Sequence, residues 1–158
     1  MIHDDVESFA GALRAGGPVL GLDLGTRTIG VAVSDRLLTV ASPLQTIRRG
    51  KFGADAERLL EISAGREAAG LVLGLPRNMD GSEGPRCQST RAFARNLSHL
   101  TELPIAFWDE RLSTVAAERA LLEADATRRR RAEVIDSVAA SYILQGILDR
   151  LRYMGECR

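Results

Sequence analysis

Residues Val19–Asp35 read VLGLDLGTRTIGVAVSD, and this stretch decides the architecture of the chain. Two apolar runs, residues 19–24 and 29–34, flank the short turn GTRT, a pattern that predicts an antiparallel pair of strands. Asp23 stands within the first run. A buried carboxylate is costly unless another group compensates its charge. Asp23 therefore either caps the turn at the end of the strand or belongs to a functional site.

The composition is that of one globular domain. The chain has 158 residues, of which 45% are hydrophobic and 27% are charged, and its formal net charge is zero. A balanced charge favours no particular class of partner, so only local clusters can indicate one. Cys87 and Cys157 are far apart in the sequence, and His3 and His99 are isolated. Neither a disulfide framework nor a histidine metal site is predicted.

The chain contains no apolar run of the roughly 18–20 residues that a bilayer-spanning helix needs. Its first residues, MIHDDVESFAGALRAGG, lack the pattern of a signal peptide. These features predict a reduced, cytoplasmic enzyme or binding protein with no membrane partner.

The hydrophobic periodicity predicts further elements along the chain. They are a short helix over 4–15, a third strand over 40–47 in which Pro43 indicates an edge or a bulge, helices over 54–67 and 84–100, strands over 70–75 and 103–108, a helix over 113–123 capped by Ser113, a basic loop over 127–131 and a final helix over 133–152. This order predicts an α/β fold. Three antiparallel strands lie beside two parallel strands in one mixed sheet, with helices on both faces.

Two further acidic positions do not suit a simple core. Asp109 and Glu110 directly follow a predicted strand, and open α/β sheets bind ligands at the carboxyl ends of their parallel strands. Asp136 shares a helical face with the apolar residues 139, 140, 143 and 147. The alternative interpretations are a solvated loop start for the first pair and a favourable helix-dipole position for Asp136.

If these acids converge with Asp23, they form an all-oxygen site suited to a hard divalent cation. Mg²⁺ is usually held by a few carboxylates together with waters and substrate phosphate. Two such ions about 4 Å apart can activate water and stabilise the leaving oxygen in phosphodiester cleavage. The spacing is compatible with this convergence, which depends on the tertiary structure.

Four linked motifs resemble one known family. The segments GLDLGTRTIGVAVSD, GLPRNMDGSEGPR, DERLSTVAAERAL and AEVIDSVAA, in this order, are similar to the YqgF family of ribonuclease-H-like proteins, whose members are also described as Holliday junction resolvases or pre-16S rRNA nucleases. The resemblance covers about residues 18–150. It implies a ribonuclease-H-like domain with a five-stranded mixed sheet over 18–153, a helical extension over 1–17 and a short tail over 154–158.

The resemblance also implies a metal-dependent nuclease site. Residue by residue, Asp23, Glu110 and Asp136 match the family's acids and would be the catalytic metal ligands, with Asp109 as the alternative to Glu110. Their cofactor would be Mg²⁺ or Mn²⁺, as two ions. Better-characterised resolvases of the superfamily carry a fourth acid one turn after the third, where this chain has Ala139. This difference argues against junction resolution more than against nuclease chemistry.

Positive side chains surround these acids in the sequence. The loop Gly74–Arg86 combines glycines with arginines that can bind phosphate, and a four-arginine run precedes Asp136. The predicted nucleic-acid-binding residues are Arg27, Arg77, Arg86, Arg111, Arg128, Arg129, Arg130 and Arg131. Arg48, Arg49 and Lys51 form a second basic patch, whereas Trp108 is interpreted as a core residue. For the arginine run and the loop, the alternative is a solvated surface without a partner.

The leading hypothesis is an endonuclease that acts on structured RNA during maturation of the 5′ end of pre-16S rRNA. One alternative is a Holliday junction resolvase, which would need a dimer for two coordinated cuts. Another is a catalytically inactive RNA-binding assembly factor. The partner is nucleic acid in all three cases, and the protein is expected to be a monomer or a homodimer.

Overall fold

A six-stranded mixed β-sheet forms the centre of the computed structural model, which describes residues 1–112 and 128–156. The elements follow one another as β1 (Ile2–His3), α1 (Val6–Ala12), β2 (Val19–Leu24), β3 (Thr28–Ser34), β4 (Ala41–Arg48), α2 (Phe52–Gly65), β5 (Gly70–Leu75), α3 (Pro85–Ser98), β6 (Ile105–Asp109), a 3₁₀ turn (Glu110–Leu112) and α4 (Arg128–Glu156). The predicted α/β class and the five predicted strands are confirmed.

The strands are arranged in the order β1-β6-β5-β2-β3-β4. β3 pairs antiparallel with β2 and with β4, whereas β5 runs parallel to both β2 and β6. The carboxyl ends of β2, β5 and β6 therefore lie at the same end of the sheet. Asp23 lies there, and the Asp109–Glu110 pair lies at the end of β6, two strands away from β2.

The prediction for Pro43 is confirmed in both respects. β4 is an edge strand, so proline, which has no amide hydrogen, does not cost the sheet a hydrogen bond between two central strands. The register also shifts beside it, since Val31 pairs with Gln45 whereas the next residue, Ala32, pairs with Pro43. Leu44 is the extra residue of this bulge.

The sheet has six strands where five were predicted. The additional strand is Ile2–His3, which runs parallel to β6 with Ile2 opposite Ile105. Two residues are too few to produce a periodic pattern, which is why sequence analysis missed it. The helix predicted over 4–15 spans only Val6–Ala12, and its N-cap Asp5 accepts a hydrogen bond from the amide of Ser8 at 2.6 Å.

Helices cover both faces of the sheet, as predicted. On one face α2 and α3 pack on Leu20, Leu22, Leu71 and Leu73. On the opposite face α1 and α4 pack on Val19, Ala32, Val72 and Ala106. Val19, Gly21 and Asp23 alternate with the leucines of β2, so Asp23 faces α4. None of the described helices is long and apolar enough to cross a membrane.

The final helix differs from its prediction at the start. A basic loop was expected over 127–131, but α4 already begins at Arg128. Arginine is a good helix former, and no glycine or proline interrupts the run. The predicted stripe is confirmed, because Ala139, Ala140, Ile143 and Ile147 are all buried. The predicted helix over 113–123, with its Ser113 cap, lies outside the described residues.

The backbone of α4 lies directly against the sheet at Gly30. A Cβ atom added to Gly30 would lie 2.0 Å from the carbonyl oxygen of Asp136, and one added to Gly21 would lie 2.8 Å from Cβ of Leu144. Glycine inside a strand often marks such a close approach of another backbone. Because these two residues are glycines, α4 can lie this close to the sheet.

We expect Gly30→Ala to lower the free energy of unfolding by about 3 kcal/mol, because α4 must move away from the sheet to accept the methyl group. Urea denaturation would measure this loss. Gly53→Ala is the matched control, since nothing lies within 4 Å of a Cβ added there. A Gly30→Ala protein as stable as the control would contradict the close packing.

Candidate functional site

Asp23 lies between two glycines on the face of the sheet that α4 covers. It pairs directly with Gly30 of β3. Leu22 pairs with Leu73 of β5, so continuing this register by one residue places Asp23 beside Gly74. The Asp23 side chain is 2% exposed. Adjacent strands are about 4.8 Å apart, so whatever lies on either glycine is a near neighbour of this carboxylate.

Asp136 reaches this place from the helix side. Its backbone rests on Gly30, the cross-strand partner of Asp23. Its carboxylate accepts a short hydrogen bond from the hydroxyl of Thr28, the first residue of β3. Thr28 and Gly30 are two residues apart and share a face of the strand. The helix backbone and the threonine together determine where the Asp136 carboxylate lies.

Glu110 arrives from the other side. It begins the 3₁₀ turn after β6, and its Oε1 atom lies 2.7 Å from the position of a Cβ added to Gly74. The Glu110 carboxylate is thus folded back over β5, on the flank of Asp23 opposite Gly30. The register and the two glycine contacts bring Asp23, Glu110 and Asp136 to one end of the sheet.

Asp109 is held differently, although it is adjacent to Glu110. Its carboxylate accepts hydrogen bonds from the Arg111 guanidinium, the shortest at 2.6 Å, and lies 3.9 Å from the Arg77 guanidinium. Arg77 in turn lies 3.4 Å from Glu83, which pairs with Arg91 at 2.5 Å. These contacts form an ion-pair network of Arg91, Glu83, Arg77, Asp109 and Arg111. The network connects the end of β6 to the loop after β5 and to α3.

The network determines the protonation of its acids. The hydrogen bonds from Arg111 hold the pKa of Asp109 below its usual value, and the charge of Arg77 adds to the effect. The pKa of Glu83 is lowered mainly by its hydrogen bond with Arg91. Both carboxylates are therefore ionised at neutral pH and occupied by arginines.

The loop after β5 is fastened to the same network. The amide of Asn78 and the carbonyl of Ser82 pair at 2.9 Å across a turn in which Gly81 has a φ of +89°. A guanidinium nitrogen of Arg111 donates to the carbonyl of Met79 at 3.4 Å. The predicted phosphate-binding loop is therefore held by the arginine that follows the acidic pair.

The donor chemistry suits a hard divalent cation. The three acids offer only carboxylate oxygens, and the glycines beside Asp23 let Glu110 and the Asp136 backbone approach closely. Over residues 1–112 and 128–156, however, no three His, Cys, Asp or Glu side chains are close enough together to form a metal site. The residues fit such an ion in donor type, but the described arrangement is not a pre-assembled three-ligand cage.

The structure places the other predicted residues on both sides of these acids. Arg27 and Arg86 are exposed, Arg27 in the turn after β2 and Arg86 in the first turn of α3. The side chains of Arg128, Arg129, Arg130 and Arg131 lie outside the described residues, although their backbone forms the start of α4. Trp108 packs against α4, as expected of a core residue.

Sequence analysis missed three contributors to the site. Thr28 contacts Asp136, and Gly30 and Gly74 allow the Asp136 backbone and Glu110 to approach the sheet beside Asp23. An available signal was the position of Gly30 in the interior of a strand, where glycine has no conformational advantage. The contact of Thr28 carries no sequence signal, since 108 residues separate it from Asp136.

Comparisons with known proteins identify the family of this chain. The model of the family RuvX, described as Holliday junction resolvase, matches residues 17–150. The chain belongs to the RuvX family. This result and the names of its relatives confirm the predicted YqgF resemblance, in which the four motifs span nearly the same residues.

Curated relatives are similar over almost their whole length. A protein of Ruegeria sp. (strain TM1040) is 73% identical over 154 residues, covering 98% of both chains. One of Paracoccus denitrificans (strain Pd 1222) is 74% identical over 155 residues, again covering 98% of both. Each bears the name "Putative pre-16S rRNA nuclease". These RuvX relatives agree with the nuclease predicted from the motifs.

A solved structure supports the predicted ribonuclease-H-like fold of this RuvX protein. RuvC of Thermus thermophilus, in complex with a Holliday junction substrate, superposes with a TM-score of 0.52 and 13% identity. The match covers 85% of this chain and 96% of RuvC. At this identity the comparison concerns the fold alone.

The Asp109 contacts predict a pH-dependent stability. Because its pKa is lowered by folding, the stabilisation is fully present above the usual value of 3.8 and is lost as the pH falls through the lower folded value. Asp109→Asn should therefore reduce the free energy of unfolding at pH 7, and the difference from the wild type should shrink below about pH 4.

Urea denaturation between pH 7 and pH 3 measures this difference. Asp149→Asn is a suitable control, because Asp149 belongs to an exposed ion pair with Arg152 at 3.7 Å and such pairs contribute little. A difference for Asp109→Asn that stayed constant down to pH 3 would contradict the assigned role of the ion pair.

Proposed function

We propose that this protein is a cytoplasmic, metal-dependent endonuclease that processes the 5′ end of pre-16S rRNA. The observation that carries the proposal is the buried Asp23, flanked by glycines on which Glu110 and the Asp136 backbone lie. The sheet itself does not need an acid at this position, because burial of a charge is costly unless other groups compensate it. The names of the relatives suggest the substrate.

Asp23, Glu110 and Asp136 would hold Mg²⁺ or Mn²⁺, as two ions. When bound, the metal supplies an activated water and stabilises the leaving oxygen of the phosphodiester. Hydrolysis would form a bond from water oxygen to phosphorus and break the bond to the 3′ oxygen, which would take up a proton, so that the products would carry a 3′-hydroxyl and a 5′-phosphate. Thr28 orients Asp136 for this role, and Asp109 keeps Arg111 and the loop after β5 in place.

The first test compares Glu110→Gln with Asp109→Asn, a pair of adjacent and chemically equivalent changes. We expect Glu110→Gln and Asp23→Asn each to reduce cleavage of pre-16S 5′-leader RNA by about 10³-fold, since several kcal/mol of transition-state stabilisation is lost. Asp109→Asn should retain most activity. The rates are measured with Mn²⁺, Mg²⁺ or EDTA, and RNA affinity is measured separately in EDTA.

A four-way DNA junction is included as a second substrate. Cleavage of the junction but not of the RNA would favour a resolvase, as the family description suggests. RNA binding without cleavage under any metal would leave an assembly factor. Normal cleavage by Asp23→Asn would refute the proposed site in either case.

The contact between Thr28 and Asp136 makes a further prediction about metal affinity. Thr28→Val preserves the shape of the side chain but removes the hydroxyl, and losing such a support typically weakens metal binding 10–100-fold. Calorimetric titration of Mn²⁺ into the protein without RNA measures this loss. Thr28→Ser keeps the hydroxyl and should bind nearly as well as the wild type. Equal Mn²⁺ affinity for Thr28→Val would exclude this positioning role.

A further inference from the structure

Most of the arginines on one side of the acidic site form ion pairs, whereas the cations on the other side do not. On the side of β5 and β6, Arg77, Arg91 and Arg111 are all paired with Glu83 or Asp109, whereas Arg86 is exposed. On the side of the β2–β3 turn, Arg27, Arg48 and Lys51 are exposed. None of these three forms an ion pair within residues 1–112 and 128–156. We name them the hairpin patch.

A fourth cation holds the hairpin patch together. Arg49 donates from its guanidinium to the carbonyl of Gly25 at 2.6 Å, and from its amide to the carbonyl of Arg27 at 2.8 Å. Its guanidinium also lies over the ring of Phe93, 5.7 Å from the centroid. Arg49 thus ties the end of β4 to the β2–β3 turn, and leaves Arg48 free to face solvent on the neighbouring position.

A buried acid fixes the other end of the hairpin patch. The amide of Gly50 donates to the Asp55 carboxylate at 3.0 Å, and Asp55 is only 4% exposed. The buried Asp55 carboxylate therefore holds the backbone that links β4 to α2, while the Lys51 side chain stays at the surface. Lys51 is the N-cap of α2 and makes no capping hydrogen bond. A cation there opposes the helix dipole, so helix stability does not explain it.

The hairpin patch adjoins the Asp136 side of the acidic site. Arg48 pairs directly with Thr28, so the two side chains leave the same face of the sheet. Thr28 in turn contacts Asp136. Arg48, a cation of the hairpin patch, is therefore the cross-strand partner of the residue that contacts the proposed metal ligand Asp136. Exposed cations that continue from a phosphodiester-cleaving site are suited to the phosphates of the chain that enters or leaves it.

We propose that the hairpin patch binds the sugar–phosphate backbone of the RNA on one side of the cleaved bond, so that the strand runs over the β2–β3 turn and the start of α2. This proposal rests on the proposed function for the identity of the nucleic acid. In this proposal Arg48 and Lys51 contact the RNA. The ion-pair network on the opposite side of the site stabilises the end of β6 and the loop after β5.

The test compares Arg48→Ala/Lys51→Ala with Arg14→Ala/Arg66→Ala. The second pair removes the same charge from exposed positions near the starts of β2 and β5, at the other end of the sheet. Fluorescence anisotropy with pre-16S 5′-leader RNA in EDTA gives the Kd at several KCl concentrations, and thermal melting checks the fold of each variant.

We expect the hairpin-patch variant to bind about tenfold more weakly at low salt, and its slope of log K against log [KCl] to fall in magnitude by about 1.4 for two lost phosphate contacts on a single strand. The control pair should change neither value appreciably. Wild-type affinity and slope in the hairpin-patch variant, or an equal loss in the control, would overturn the proposal.

The direction of the strand is tested with RNAs shortened on one side of the cleavage position. Shortening the flank that crosses the hairpin patch should abolish the difference between wild type and variant, whereas shortening the other flank should preserve it. A difference that is independent of both flanks would overturn the path. Because binding is measured in EDTA, an RNA-binding protein that never cleaves would refute the nuclease but keep the hairpin patch. A wild-type protein that binds no RNA would overturn both.

Discussion

The contact of the α4 backbone with Gly30 is the constraint on which the rest of the site depends. A strand position that carried any side chain would keep the helix away from the sheet. Asp136 would then move away from Thr28 and from the strand that carries Asp23. Protein interiors are packed too tightly to absorb such a shift locally. The site is therefore built on the absence of a side chain as much as on the three acids.

The separation of the apolar core from the carboxyl end of β2 explains why the buried charge of Asp23 is tolerated within an otherwise apolar strand. The leucines of β2 face α2 and α3, so the core on that side is complete without contributions from Asp23. On the α4 face, Gly21 and Gly30 bring the helix close, and the acids lie beyond the apolar core, at the carboxyl end of the strand. The apolar core therefore fills one face of the sheet and most of the other, and the candidate site occupies only the carboxyl end of β2 on the α4 face.

The charges around the acids have two distinct roles. Asp109, although adjacent to Glu110, belongs with Arg111 and Arg77 to a network that fastens the 3₁₀ turn to the loop after β5. Arg49 uses its charge on a backbone carbonyl of the β2–β3 turn. In both cases an ionic side chain replaces the apolar packing that short loops cannot provide. Among the described residues, Arg27, Arg48 and Lys51 form no ion pair of this kind.

The sequence by itself determined the strands from β2 to β6, the face of Asp136 and the family, because each depends on local periodicity or on contiguous motifs. It could not predict β1, which has two residues, or the start of α4 at Arg128, where charge suggested a loop but helix propensity prevailed. The tertiary structure alone decided which acid faces Gly74, which arginines are already paired and that Thr28 contacts Asp136. These contacts join residues distant in the chain, and their geometry depends on strand register and helix depth, which no local pattern encodes.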